Sequence, residues 1–150
     1  MDDFAVALND HRDGWVIAMG MHFLKATRDE VVLEWVIAPI HRQVFGIVHG
    51  GVYAGAIETA CSVGAALAAL EHGKTAVGLE NNTSFVHATA SGTLRATAKP
   101  LTRGRTTQLW SCAVTDENGR VAATGRVRLL CVEPGAPIGQ TQVSAEKSKV

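Results

Sequence analysis

Aromatic side chains are scarce in this chain, 5% of 150 residues, although 47% of it is hydrophobic. A core of this composition is built from small and aliphatic groups that let secondary-structure elements approach closely. Cysteine is scarce too: Cys61, Cys112 and Cys131 are too few and too far apart for a disulfide framework or a paired metal-binding motif. We read these scattered thiols as reduced core residues of an intracellular protein. Charge of one sign is not in excess, because 14 basic and 14 acidic side chains cancel. Nucleic-acid binders carry a basic surplus, so that class is excluded. The six histidines (His11, His22, His41, His49, His72, His87) show no HxH or HExxH spacing, and no metal site is expected. GxGxxG and Walker loops are missing, so no nucleotide or redox cofactor is expected either. The acidic first ten residues lack a long apolar run, which predicts no signal peptide and a cytoplasmic location. What is there suits one domain of ordinary size rather than a disordered chain.

One apolar run stands out. Residues 52–70 approach the roughly 20 residues a bilayer crossing needs, and Gly51 and Gly55 have GxxxG spacing. Glu58 lies inside the run, Ala and Gly dominate it, and no basic cluster flanks it. A charged side chain at the centre of a span costs about 2.5–3.5 kcal/mol. The run is therefore expected to be the buried helix of a protein that does not enter the membrane.

Residues 3–11 suit a short helix that Gly14 ends. Residues 31–37 have strand composition, and the preceding apolar stretch turns into them at Asp29 and Glu30. Pro39 breaks that strand, and residues 40–48 run irregularly to Gly50 and Gly51, which open the long helix. His72 and Gly73 close it. Residues 75–86, 93–101, 106–115 and 121–132 then read as strands, punctuated by turns at Gly92, Gly104 and Gly119. Pro100 marks a bulge or an edge position. Two strands, one long helix and four strands predict an α+β domain, with a curved antiparallel sheet wrapped around one central helix. The helix is then expected to be buried round nearly its whole circumference. The domain is expected to span residues 1–132, with 133–150 a disordered C-terminal tail, because Pro, Gly, Gln, Ser and Lys dominate there.

The segment that carries chemistry runs from Gln43 to Ser62. Backbone N–H groups at a helix start have no partner within the helix, and the helix dipole favours negative charge there. Gly50 and Gly51 leave those donors open to a ligand, as in an oxyanion hole; a tight turn with no ligand fits the same residues. A carboxylate in an apolar helix is costly unless it is hydrogen-bonded or has a function. Glu58 fits that description, as it fits a surface or capped carboxylate, and Ser62 follows one turn later. Gly50 and Glu58 are eight residues apart, about 12 Å along a helix axis. One small group cannot meet both within one chain, but two antiparallel helices from different subunits bring them together. His49 and Gln43 are loop residues able to bind substrate or to satisfy the loop itself. Arg103 and Arg105 with Thr106 and Thr107 surround a Gly turn that suits a phosphate or is a solvated corner.

Phe-Gly-Ile-Val-His-Gly-Gly-Val at residues 45–52, followed by Glu58, resembles the hotdog-fold acyl-CoA thioesterases. The 4-hydroxybenzoyl-CoA, phenylacetate-pathway and 1,4-dihydroxy-2-naphthoyl-CoA types are the nearest. The resemblance continues through residues 77–82, the Gly92 turn, residues 99–101 with Gly104, and residues 110–116. It implies a hotdog fold and hydrolysis of an acyl-CoA, with an aromatic acyl group favoured and CoA entering only as part of the substrate. It also implies a homodimer or homotetramer with sites at the subunit interface. Glu58 would be nucleophile or general base, the Gly50 N–H would polarise the carbonyl, and Gln43 and His49 would orient the thioester. Ser62 would help hold the water, while Gly51, Phe85, His87, Arg105 and Thr106 would contact substrate or CoA. Some relatives carry Arg where this chain has His87. A hotdog hydratase or dehydratase and a non-catalytic acyl-CoA-binding protein are the alternatives.

Overall fold

The computed structural model describes residues 2–12 and 14–142. Strands β1 (His22–Ala26) and β2 (Val31–Val36) form a hairpin. Helix α3 (Gly50–Ala69) follows, and then β3 (Thr75–Phe85), β4 (Thr93–Arg103), β5 (Thr107–Asp116) and β6 (Val121–Val132). All pairings are antiparallel, in the order β1-β2-β4-β5-β6-β3. The long helix thus carries the chain from β2 across the sheet to β3 at the far edge. The expected two strands, helix and four strands are all present, and the fold is the α+β hotdog.

Val52, Ala56, Ile57, Ala60, Cys61, Gly64, Ala65 and Ala68 make the buried stripe of α3. Small residues bring helix and sheet together: a Cβ on Gly64 would lie 2.4 Å from the Trp110 ring, and one on Gly125 of β6 2.9 Å from Ile57. The expectation of burial all round needs correction. Ala54, Gly55, Glu58, Thr59, Ser62 and Ala66 stay half-buried, on a flank that meets edge strand β3 at Ala54 and Glu58 and the Trp15 ring at Gly55. A single curved sheet does not close round a helix, so the flank at the β3 edge is only partly covered. Although α3 is long and apolar enough to cross a membrane, its apolar stripe is spent on the sheet.

Two short helices precede the sheet. α1 (Ala5–Asp10) lies within the helix expected at residues 3–11, but Gly14 opens a second helix, α2 (Gly14–Ala18), instead of simply ending the first. Five residues are too short for a 3.6-residue period to show. The Trp15 ring of α2 packs where a Cβ of Gly55 would be, 2.5 Å away. Pro100 sits in an interior strand at a register shift, which is the bulge its sequence position predicted. Within the stretch expected to be a tail, β7 (Pro137–Ile138) pairs with β8 (Thr141–Gln142) as a separate small hairpin. The rest of that expectation falls on residues 143–150, outside the described residues.

Candidate active site

His49 is the N-cap of α3, and its Nδ1 accepts the Gly51 N–H at 2.8 Å. This leaves the ring proton on Nε2. The Val52 N–H donates to the His49 carbonyl at 2.9 Å. Gly50 alone among these first donors has no hydrogen-bond partner among the described residues, so one oriented N–H remains at the positive end of a 20-residue helix. Gly51 lies beside it, with its own N–H already engaged.

Phe85, at the end of β3, packs against Gly50. A Cβ on Gly50 would meet the Phe85 ring tip at 2.7 Å, and the Phe85 and Tyr53 rings lie 6.3 Å apart between centroids. Gln43 closes a tight loop: its side-chain carbonyl accepts the Phe45 N–H, and its main chain bonds Gly46 and Ile47. The Gln43 side-chain NH2 keeps no partner among the described residues. Beside it, Val44 and Phe45 are 94% and 84% exposed, an apolar surface too bare to be a finished one.

Two turns into α3, the Glu58 carboxylate is held from two sides. Ser62 Oγ donates to Oε1 at 3.1 Å, and Asn81 Nδ2 of β3 donates to Oε2 at 2.9 Å. Gly78 of β3 makes the space, since a Cβ there would sit 2.2 Å from Oε1. Cys61, three residues on from Glu58 in the helix, is no rival nucleophile. It is fully buried beside Cys112, and that neighbour and burial push its thiol far up from the usual range.

The remaining named residues divide between the two ends of the sheet. His87 lies just past β3, at the Gly50 end, where its Nε2 accepts from Arg120 Nη1 at 2.7 Å. Arg105 and Thr106 are exposed in the β4–β5 turn at the other end; β5 separates the ends by about 30 Å at strand rise. A single subunit therefore does not join His87 to Arg105 and Thr106. Arg103 is occupied by Asp29 at 2.6 Å and the Arg28 carbonyl at 3.0 Å, which leaves Arg105 as the uncommitted cation of that turn. A hollow of about 900 Å³, lined in part by Glu80, Asn82, Ser84 and Arg126, lies on the sheet face away from α3. It shares no residue with the Glu58 cluster.

Sequence reasoning singled out Glu58, Ser62, Gly50 and His49 but passed over Asn81, Gly78 and Arg120 as parts of one site. Asn81 and Gly78 are three apart in a strand, where alternation sends them to opposite faces. Only an irregularity in pairing reveals that they share one.

The open Gly50 N–H and the buttressed Glu58 carboxylate are thus carried by one helix set on a hotdog sheet. The family model of the thioesterase superfamily matches residues 45–123, and the chain belongs to that superfamily. It is a thioester hydrolase. It is 40% identical over 117 residues to Rv1847 of Mycobacterium tuberculosis, named as a candidate esterase, covering 77% of this chain and 84% of that protein. It is 30% identical over 108 residues to the 1,4-dihydroxy-2-naphthoyl-CoA hydrolase of Listeria monocytogenes, covering 72% of this chain and 87% of that one. The solved thioesterase HI1161 of Haemophilus influenzae superposes with a TM-score of 0.81 at 28% identity, covering 86% of this chain and 90% of that one.

Proposed function

We propose that the protein hydrolyses an acyl-CoA to the free acid and CoA, in a site completed by a second copy of the chain. The carrying observation is the Glu58 carboxylate, fixed by Ser62 and Asn81 in the space Gly78 provides. The Gly50 N–H is about 12 Å away along the same helix, so the thioester carbonyl meets Gly50 of one subunit and Glu58 of the other. Charge developing on the carbonyl oxygen is stabilised by that N–H, while the Gln43 NH2 and the His49 Nε2–H orient the thioester.

Glu58 either takes a proton from water, whose oxygen adds to the carbonyl carbon, or attacks that carbon itself and is released by water. In both routes the C–S bond breaks, the thiolate of CoA leaves and is protonated, and one water is consumed. This chemistry calls on no metal or redox group. The exposed apolar residues Val44, Phe45, Leu79 and Phe85 are the surface such a dimer would cover. At the nucleotide end, His87 acts through the arginine it holds: Arg120 supplies the cation for a CoA phosphate, and Arg105 with Thr106 of a further subunit contact another part of the nucleotide. An aromatic acyl group is supported by the likeness to a naphthoyl-CoA hydrolase and by the Phe85 and Tyr53 rings beside Gly50.

The test is a panel of benzoyl-, phenylacetyl-, 1,4-dihydroxy-2-naphthoyl- and octanoyl-CoA, read by thiol release and ranked by kcat/KM. Glu58→Gln is expected to lower kcat by about a hundredfold or more while leaving the circular dichroism spectrum unchanged. Native rates in that variant would refute the assignment. Binding of CoA esters without thiol release would identify a carrier, and hydration of enoyl-CoA a hydratase.

A further inference from the structure

Strand β3 pairs Gly78 with Leu129 and Glu80 with Arg128, so Leu79 faces no residue of β6. This bulge adds one residue and resets the alternation of the strand. Beyond it Asn81 lies opposite the fully buried Val127 and faces α3, while Glu80 turns outward to an ion pair with Arg128 at 3.5 Å. Gly78 and Asn81, three apart, thereby address the same carboxylate.

The amide of Asn81 is fully committed. One Nδ2 hydrogen goes to Glu58 Oε2 at 2.9 Å and the other to the Ala54 carbonyl at 3.1 Å, while Oδ1 accepts from Thr83 Oγ1 at 2.6 Å. Turning the amide over would set its oxygen against two other acceptors, the Ala54 carbonyl and Glu58 Oε2, so the network favours one orientation. Ala54 is one turn before Glu58 and Ser62 one turn after. The carboxylate is thus tied at Oε1 to its own helix, and at Oε2 to a group itself anchored on that helix and on β3.

We infer that Asn81 is a positioning residue for the reaction, its side-chain amide fixing the rotation of the Glu58 carboxylate from across the helix–strand gap. The inference rests on the reading of Glu58 as the reacting carboxylate. Asn81 need not touch substrate; it sets the direction in which the free lone pairs of Glu58 point. Misaiming a reacting group by about 1 Å costs on the order of a hundredfold in rate.

Asn81→Leu keeps the approximate size and removes both donors. Asn81→Asp keeps the shape and sets a second carboxylate against the first. The full-length variants are assayed on whichever acyl-CoA of the panel has the highest kcat/KM, with melting temperature measured alongside. Asn81→Leu is expected to lower kcat about 10- to 100-fold with KM within about twofold, and Asn81→Asp to lower it further. Combined with Glu58→Gln, Asn81→Leu should add no further loss, because nothing remains to be aimed. Full kcat in Asn81→Leu, while Glu58→Gln is inactive, overturns the role of Asn81 alone. An equal further loss in the double variant also overturns it, since a general structural effect would persist without the carboxylate. Native rates in Glu58→Gln remove the reading of Glu58 itself, and Asn81 with it.

Discussion

Gly50 and Gly51 are chemically identical neighbours that end in different situations. His49 caps the second and leaves the first free, so a single side chain decides which N–H can meet a carbonyl. A similar division separates the cations. Arg103 is spent on Asp29, whereas among the described residues the Arg120 side chain bonds the His87 ring nitrogen and no carboxylate. Arg120→Ala is therefore expected to raise KM for acyl-CoA about tenfold while leaving hydrolysis of the matching N-acetylcysteamine thioester, which lacks the nucleotide, unchanged. Equal losses on both substrates would show that Arg120 supports the fold instead. Placements set by local chain geometry, such as Ser62 one turn on from Glu58, or Gly50 at a helix start, were legible in the sequence. Arg120 was not, because its meeting with His87 depends on two turns brought together by strand pairing 33 positions apart.

Among the elements, the long helix and the four later strands are legible because each repeats its pattern over ten or more residues. α2 and the β7–β8 hairpin are too short to have a pattern. The half-covered side of α3 was missed for another reason: its Ala, Gly, Ser and Thr residues suit a buried helix and an interface helix equally. The link between α1 and the sheet is electrostatic as well as apolar. Asp3 Oδ1 accepts from the Ala26 and Ala5 N–H groups, both at 2.9 Å, and these bonds, Ala26 first, hold its carboxyl below the usual 3.8. A group lowered in the folded state stabilises the fold above its unfolded value, and that contribution is lost as pH falls through the folded value. Asp3→Asn should thus melt a few degrees below the native chain at neutral pH, with the difference closing in acid. A constant difference from pH 7 to pH 2 would contradict this.

For the molecule as a whole, the separation of Gly50 from Glu58 predicts complementation. Gly50→Pro removes the free N–H at the first helical position, where proline suits the backbone and the exposed Phe85 ring must swing aside, and Glu58→Gln removes the carboxylate; each alone should be inactive. Co-refolded, a mixed dimer has one site with both groups lost and one with both intact. About half of native turnover per mixed dimer should return. No recovery would place both groups in one subunit's site.

The surplus residue in β3 has a consequence for how this chain tolerates insertions and deletions. Removing Leu79 would straighten the strand and leave Asn81, Thr83 and Phe85 facing as they do now. Removing any one residue from 80 to 85 would instead force a choice between losing the bulge and reversing every side chain beyond the cut. If the strand continued from Gly78 without the bulge, Glu80 would take the place of Asn81 and present a carboxylate to Glu58. The length of this strand, as much as its composition, is what keeps a donor rather than a second acid beside Glu58.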